Sequence, residues 1–148
     1  PARAAGARRA RARCVVIVAM AFAFADVIVL RVTMPARLEA SSVDGLLRAL
    51  EGRARSRFPL PDAPLRRALG LAERVCSHLP RVPDTCLYRS LARFALLSAH
   101  GRAPRFVMGL RRGTSDVEGH AWVELDGDVF GEPLEEDFVI TYSHPVHA

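Results

Sequence analysis

The sequence predicts an α+β domain, with N-terminal helices followed by a small antiparallel sheet, and two patterns carry that reading. As far as Gly101 the apolar residues recur at helical spacing. From Arg105 onward they alternate in short runs separated by Gly-containing turns. A chain of 148 residues can bury a core of its own without disulfides or a metal, so one domain is expected overall.

Residues 1–13 carry Arg3, Arg8, Arg9, Arg11 and Arg13 and read as a basic, disordered tail. The seventeen residues from Cys14 to Leu30 are apolar except for Asp26. A bilayer needs about twenty such residues, and a central carboxylate adds roughly 2.5–3.5 kcal/mol to the cost of insertion. Three readings stay open for this stretch: a helix packed on the body, a membrane anchor, or an exported segment. No small-residue cleavage pattern follows before Arg31, which counts against the last.

A loop over Ala40-Ser41-Ser42 leads into a short helix from Gly45 to Arg55, with Leu46, Leu47 and Leu50 on one stripe. Pro59, Pro61 and Pro64 break the pattern and mark a hinge between N-terminal helices (14–60) and a core region (61–148). Leu65 to Leu79 reads as a second amphipathic helix, with Leu69, Leu71, Ala72, Val75 and Leu79 inward, closed by Pro80 and Pro83. Asp84 and Thr85 are good caps for the helix that opens at Cys86, buries Leu87, Leu91, Phe94, Ala95 and Leu97, and stops at Gly101. Strands are expected over Arg105–Arg111, Glu118–Leu125, Asp128–Gly131 and Phe138–Tyr142, forming an antiparallel meander.

Composition excludes several functions. All 21 basic residues are Arg; five lie in the tail, and the other sixteen balance sixteen acids. The body has no basic patch with interleaved aromatics, so nucleic-acid binding is not expected of it. The chain contains no Asn or Gln, so no side-chain amide can complete a catalytic triad or donate to an oxyanion. It has no GxxxxGK[ST] motif and hence no nucleotide site of that kind. Cys14, Cys76 and Cys86 form no CxxC pair and no metal spacing, which fits a reduced, cytoplasmic protein. Cys14 and Cys76 sit in apolar runs and read as small buried hydrophobes. His78, His100, His144 and His147 read as solvated; His144 and His147 lack a third ligand, so no metal and no cofactor is expected.

Cys86 differs from the other two thiols. In the first turn of a helix the unpaired N–H groups and the macrodipole favour an anion, and a thiolate is the attacking form of cysteine. His120 heads the alternating strand His120-Ala121-Trp122-Val123-Glu124 and can serve as the base for such a nucleophile. A carboxylate must then hold the imidazole. If the turn at Asp126-Gly127 is type I with Gly127 left-handed, counting back across the strands sets Glu132 opposite His120. If it is a two-residue primed turn, Glu132 faces Ala121. The turn residues favour the first option and Glu132. Asp126 is the runner-up, at the turn tip. Glu124 shares the strand face but lies ~6–7 Å along it.

Cys86-Leu87-Tyr88-Arg89-Ser90-Leu91-Ala92, the strand from Phe106 to Arg112 and His120-Ala121-Trp122-Val123-Glu124-Leu125-Asp126-Gly127 together resemble the transglutaminase-like cysteine peptidases of lasso-peptide biosynthesis. These are stand-alone leader peptidases with a transglutaminase-like or papain-like fold, and the likeness covers roughly Leu65 to Tyr142. In that family the place of Glu132 more often holds Asp. The resemblance implies that Cys86, His120 and Glu132 are catalytic; Trp122, on the strand face of His120, and Arg89, one turn along from Cys86, are candidates for lining the site. It implies three partners: the precursor peptide, a small leader-binding protein and an ATP-dependent cyclase. Two rivals remain: a non-catalytic peptide-binding or membrane-anchored adaptor of the same fold, and an acyl transferase using the same residues.

Overall fold

The computed structural model describes residues 2–53, 55–113, 116–134 and 137–145, with side chains from Arg13 onward. Four helices, α1 (Ala2–Ala40), α2 (Val43–Glu51), α3 (Asp62–Cys76) and α4 (Cys86–Ala99), precede strands β1 (Arg105–Arg112), β2 (Val117–Leu125), β3 (Asp128–Val129) and β4 (Val139–His144). The strands form one antiparallel sheet in the order β3-β2-β1-β4. The α+β class and the helix-then-sheet order are as expected, but β4 returns to pair with β1 rather than β3, so the sheet is not the simple meander expected.

Helix α4 is the axis of the fold. Leu91, Phe94, Ala95 and Leu97 are buried on it, between the other helices and a sheet face carrying Phe106, Ala121 and Val123. The Ser90 hydroxyl donates to the Ala121 carbonyl at 2.8 Å and pins the helix to β2. Gly101 closes the helix at φ +77°, a conformation that favours glycine.

Helix α1 runs unbroken from Ala2 to Ala40, through the Arg-rich stretch. Ala and Arg, which fill that stretch, are both strong helix formers. Its inward stripe is Ala19, Ala23, Val27, Leu30 and Met34. Cys14, expected to be buried, is exposed. Asp26 pairs with Arg53 at 2.7 Å, and the fully buried Arg31 donates to the Pro83 carbonyl at 2.7 Å and to Asp84 at 2.9 Å. Ser42 caps α2 by accepting from the Gly45 N–H at 3.1 Å.

Helix α3 is rotated from the expected stripe. Leu65, Ala68, Leu69, Ala72 and Cys76 are buried, while Leu71, Val75 and Leu79 are exposed. The helix starts three residues early, at Asp62, and ends at Cys76, so Leu79 lies beyond it. The Pro-rich segment packs on the end of α4 rather than swinging free. Leu60 is buried there and donates its N–H to His100 Nδ1 at 3.1 Å, and Arg102 pairs with Asp62. His100 is therefore buried, not solvated, and burial lowers its pKa from the ordinary value. His144 is also buried, against Phe94 and 3.1 Å from Glu51, because β4 runs to residue 144 instead of ending at Tyr142. His78 is exposed, and His147 lies outside the described residues.

Candidate active site

Cys86 is the first residue of α4. Its position is dictated by what precedes it. Pro80 and Pro83 forbid a continuous helix, and Arg31 clamps the chain at Pro83 and Asp84 just before the turn. The expected cap is missing: Thr85 has extended backbone angles but its side chain makes no capping hydrogen bond. The N–H groups of the first turn therefore remain available to a ligand.

Beside Cys86 lies a cleft of about 210 Å³, bordered by Leu87, Met108, Leu110, Gly119 and His120 and mostly apolar. Gly109, also on its wall, pairs with His120 across the ladder. A Cβ there would sit 2.9 Å from the Trp122 ring, so only glycine lets Trp122 pack this close to β1.

His120 stands on β2 where β3 no longer covers the strand, since β3 ends at Val129 opposite Glu124. Its ring stacks on Trp122 (centroids 6.1 Å, interplanar 18°) and lies 5.4 Å from Phe138. Trp122 is buried and donates to Glu124 at 3.0 Å, so it backs the imidazole rather than bordering the cleft. Among the described residues the His120 ring has no hydrogen bond; Cys86 and His120 share the cleft in an open arrangement.

The route by which Glu132 arrives corrects the sequence argument. Asp126 and Gly127 have φ +56° and +91°, and Leu125 pairs with Asp128, so the turn is the two-residue primed type and not type I. A continued strand would have set Glu132 opposite Ala121. Instead the ladder stops after Val129, with a last bond from the Phe130 N–H to the Val123 carbonyl at 2.7 Å. Gly131, at φ +96°, then turns the chain. Glu132 Oε1 lies 3.8 Å from His120 Nε2.

The other predicted residues fall elsewhere. Asp126 is at the exposed hairpin tip, roughly 20 Å along the strand from His120. Glu124 is engaged by Arg105 at 3.0 Å and by Trp122. Arg89 does not border the cleft; it bridges Asp84 at 3.7 Å and Glu132 at 3.6 Å.

Sequence reasoning missed Arg93. It is 2% exposed, binds Glu73 through a two-pronged contact at 2.7 and 3.1 Å, and places Nη1 2.9 Å from Glu132 Oε1. Burial opposes its charge, but the Glu73 and Glu132 carboxylates outweigh that and raise its pKa. The signal was a lone Arg within the apolar stripe of α4, two turns from Cys86. Cys76 is fully buried, and burial raises its pKa, which keeps it a thiol. Among the described residues no cluster of His, Cys, Asp or Glu could hold a metal.

A helix-borne cysteine, a strand-borne histidine and a nearby carboxylate, in that order along the chain, fit one family. Residues 30–143 match the transglutaminase-like superfamily. The chain belongs to the transglutaminase-like superfamily. No curated protein and no solved structure matches it. The superfamily match takes in α4, β1 to β3, β4 as far as Ser143 and the helices from Leu30 onward, so every residue of the candidate site lies inside it.

Proposed function

We propose that this protein is a cysteine peptidase that removes the leader from a ribosomally made lasso-peptide precursor. The observation that carries cysteine chemistry is that Cys86 and His120 border one cleft while the Glu132 carboxylate stands 3.8 Å from His120 Nε2. With Nε2 facing Glu132, Nδ1 is the nitrogen left for the thiol. The 3.8 Å between Glu132 and His120 is longer than a working hydrogen bond, and in this reading substrate closes it.

In this reading Cys86 Sγ attacks the scissile carbonyl as its proton passes to His120. The N–H groups of the α4 first turn donate to the oxyanion. His120 then protonates the departing amine, leaving the leader bound to Cys86 as a thioester. Water, deprotonated by His120, attacks the thioester, and the leader leaves as a carboxylic acid with Cys86 restored. Glu132 holds the imidazole and balances its charge while it is protonated.

The leader substrate rests on the resemblance of the Cys86, Phe106 and His120 segments to lasso leader peptidases. It brings the expected partners: a leader-binding protein that delivers the precursor, and an ATP-dependent cyclase that uses the freed amine. Such chemistry belongs in the cytoplasm, where ATP is supplied.

Incubation of precursor and leader-binding protein with the wild-type chain in ¹⁸O water should yield free core peptide and a leader carrying one ¹⁸O in its new carboxylate. Cys86→Ala should abolish both products. Undiminished cleavage by that variant sinks the peptidase reading. Leader coupled to an added amine, without the isotope, would make the protein an acyl transferase.

A further inference from the structure

The outward face of α1 stays largely exposed, although Phe22 stacks on Phe58 (ring centroids 6.5 Å). Val15, Val18, Phe22, Ala25, Val29 and Val32 follow one another at steps of three and four residues and are all exposed, Phe22 to 65%. They form one apolar stripe roughly 27 Å long. Between Arg13 and Arg37 the helix has only two charged residues, and both are engaged inward: Asp26 with Arg53, and Arg31 with Pro83 and Asp84. The segment Arg13–Ala40 is long and apolar enough to cross a membrane. Its opposite stripe is committed to the core through Ala19, Ala23, Val27, Leu30 and Met34, so with the fold intact it lies along a surface rather than spanning one.

We infer that α1 seats the protein on an anionic lipid surface, with the Val15–Val32 stripe in the boundary between headgroups and acyl chains. Two observations favour lipid over a partner helix. Positions flanking the stripe, such as Ile17, Ala21 and Ile28, are themselves apolar, whereas a registered helix pair needs charged flanks to set partner and orientation. The same helix carries Arg3, Arg8, Arg9, Arg11 and Arg13 at its N-terminal end, a charge complement to anionic headgroups. The inference does not depend on the peptidase reading; it concerns where the protein works.

The test is flotation of the full chain with vesicles of phosphatidylcholine alone or with one-third phosphatidylglycerol. The chain should float with the anionic vesicles, and raising the salt to about 0.5 M should weaken this. The combined substitutions Val18→Glu, Phe22→Glu and Val29→Glu should lower partitioning about tenfold or more while leaving the circular dichroism spectrum and the cooperative thermal transition in place. If that variant misfolds, Val18→Ser with Phe22→Ser replaces it and should show the same direction. Wild type remaining unbound at both compositions, or a folded variant floating as well as wild type, overturns the inference. So does a dimer in solution that the substitutions dissociate, since a second copy would then be the occupant.

Discussion

Arg93 is the residue on which the candidate site depends most without touching the cleft. Its guanidinium is buried between Glu73 and Glu132, so three charges are held in one network beneath His120. Removing the middle member strands two carboxylates in a poorly solvated place, which typically costs ~3–5 kcal/mol. Arg93→Met is therefore expected to lower the unfolding free energy read from urea titration by that amount, whereas Arg93→Lys, which keeps charge but loses the planar fork, should fall between. A midpoint unchanged by Arg93→Met would show that the network contributes nothing. Cys86 and His120 were legible in the sequence as a candidate nucleophile and base because each obeys a local rule: Cys86 opens a helix and His120 begins an alternating run within β2. Arg93 was not, because a buried charge is defined by partners 20 and 39 positions away.

At the scale of elements, the approach of Glu132 rests on how β3 ends. Gly131 has φ +96°, and a Cβ there would stand 3.1 Å from Arg93 Cζ. Gly131→Ala is thus expected to cost about 1–2 kcal/mol through backbone strain and, more tellingly, to lower kcat by displacing Glu132. Cleavage at the wild-type rate would show that the placement of Glu132 is not critical. The sequence argument reached Glu132 by counting register, and the register it assumed does not occur. A primed turn and a left-handed glycine together deliver the same side chain, a compensation that counting cannot reveal. The α3 stripe failed for a different reason: apolar residues occur on two faces of that helix, and the face through Leu65, Ala68, Leu69, Ala72 and Cys76 is the one that packs.

His100 gives the end of α4 a pH dependence. Its Nδ1 accepts the Leu60 N–H, a role open only to the neutral ring, and burial holds its folded pKa below the ordinary histidine value. The unfolded chain therefore takes up the proton first as pH falls. Stability from this group is complete above about pH 6.5 and is lost as the pH drops from there through the folded pKa. Urea midpoints at pH 7.5 and 5.5 should differ more for wild type than for His100→Leu; equal differences would remove His100 from the account.

Over the whole molecule, α1 is structural before it is anything else. It supplies Ala19, Ala23, Val27, Leu30 and Met34 to the core and, through Arg31, holds the entry to the α4 turn. Losing several such residues removes a large part of the 5–15 kcal/mol that a typical domain has in hand. A chain starting at Met34 is expected to lose its cooperative thermal transition; retention of a sharp transition would make α1 an accessory. The helix-then-sheet plan was readable because period 3.6 and period 2 are sequence properties. Which face of α1 turns inward was not, since the helix is apolar all round and the choice is made by Asp26, Arg31 and their distant partners.

The central claim is that Cys86 is a nucleophile served by His120. A leader peptide ending in an electrophilic ketone tests it directly, with adducts located by peptide mass mapping. One adduct is predicted, on Cys86 and not on the exposed Cys14, with labelling slowed at least about a hundredfold in His120→Ala. Labelling at Cys14, or of Cys86 at the same rate without the imidazole, would contradict it.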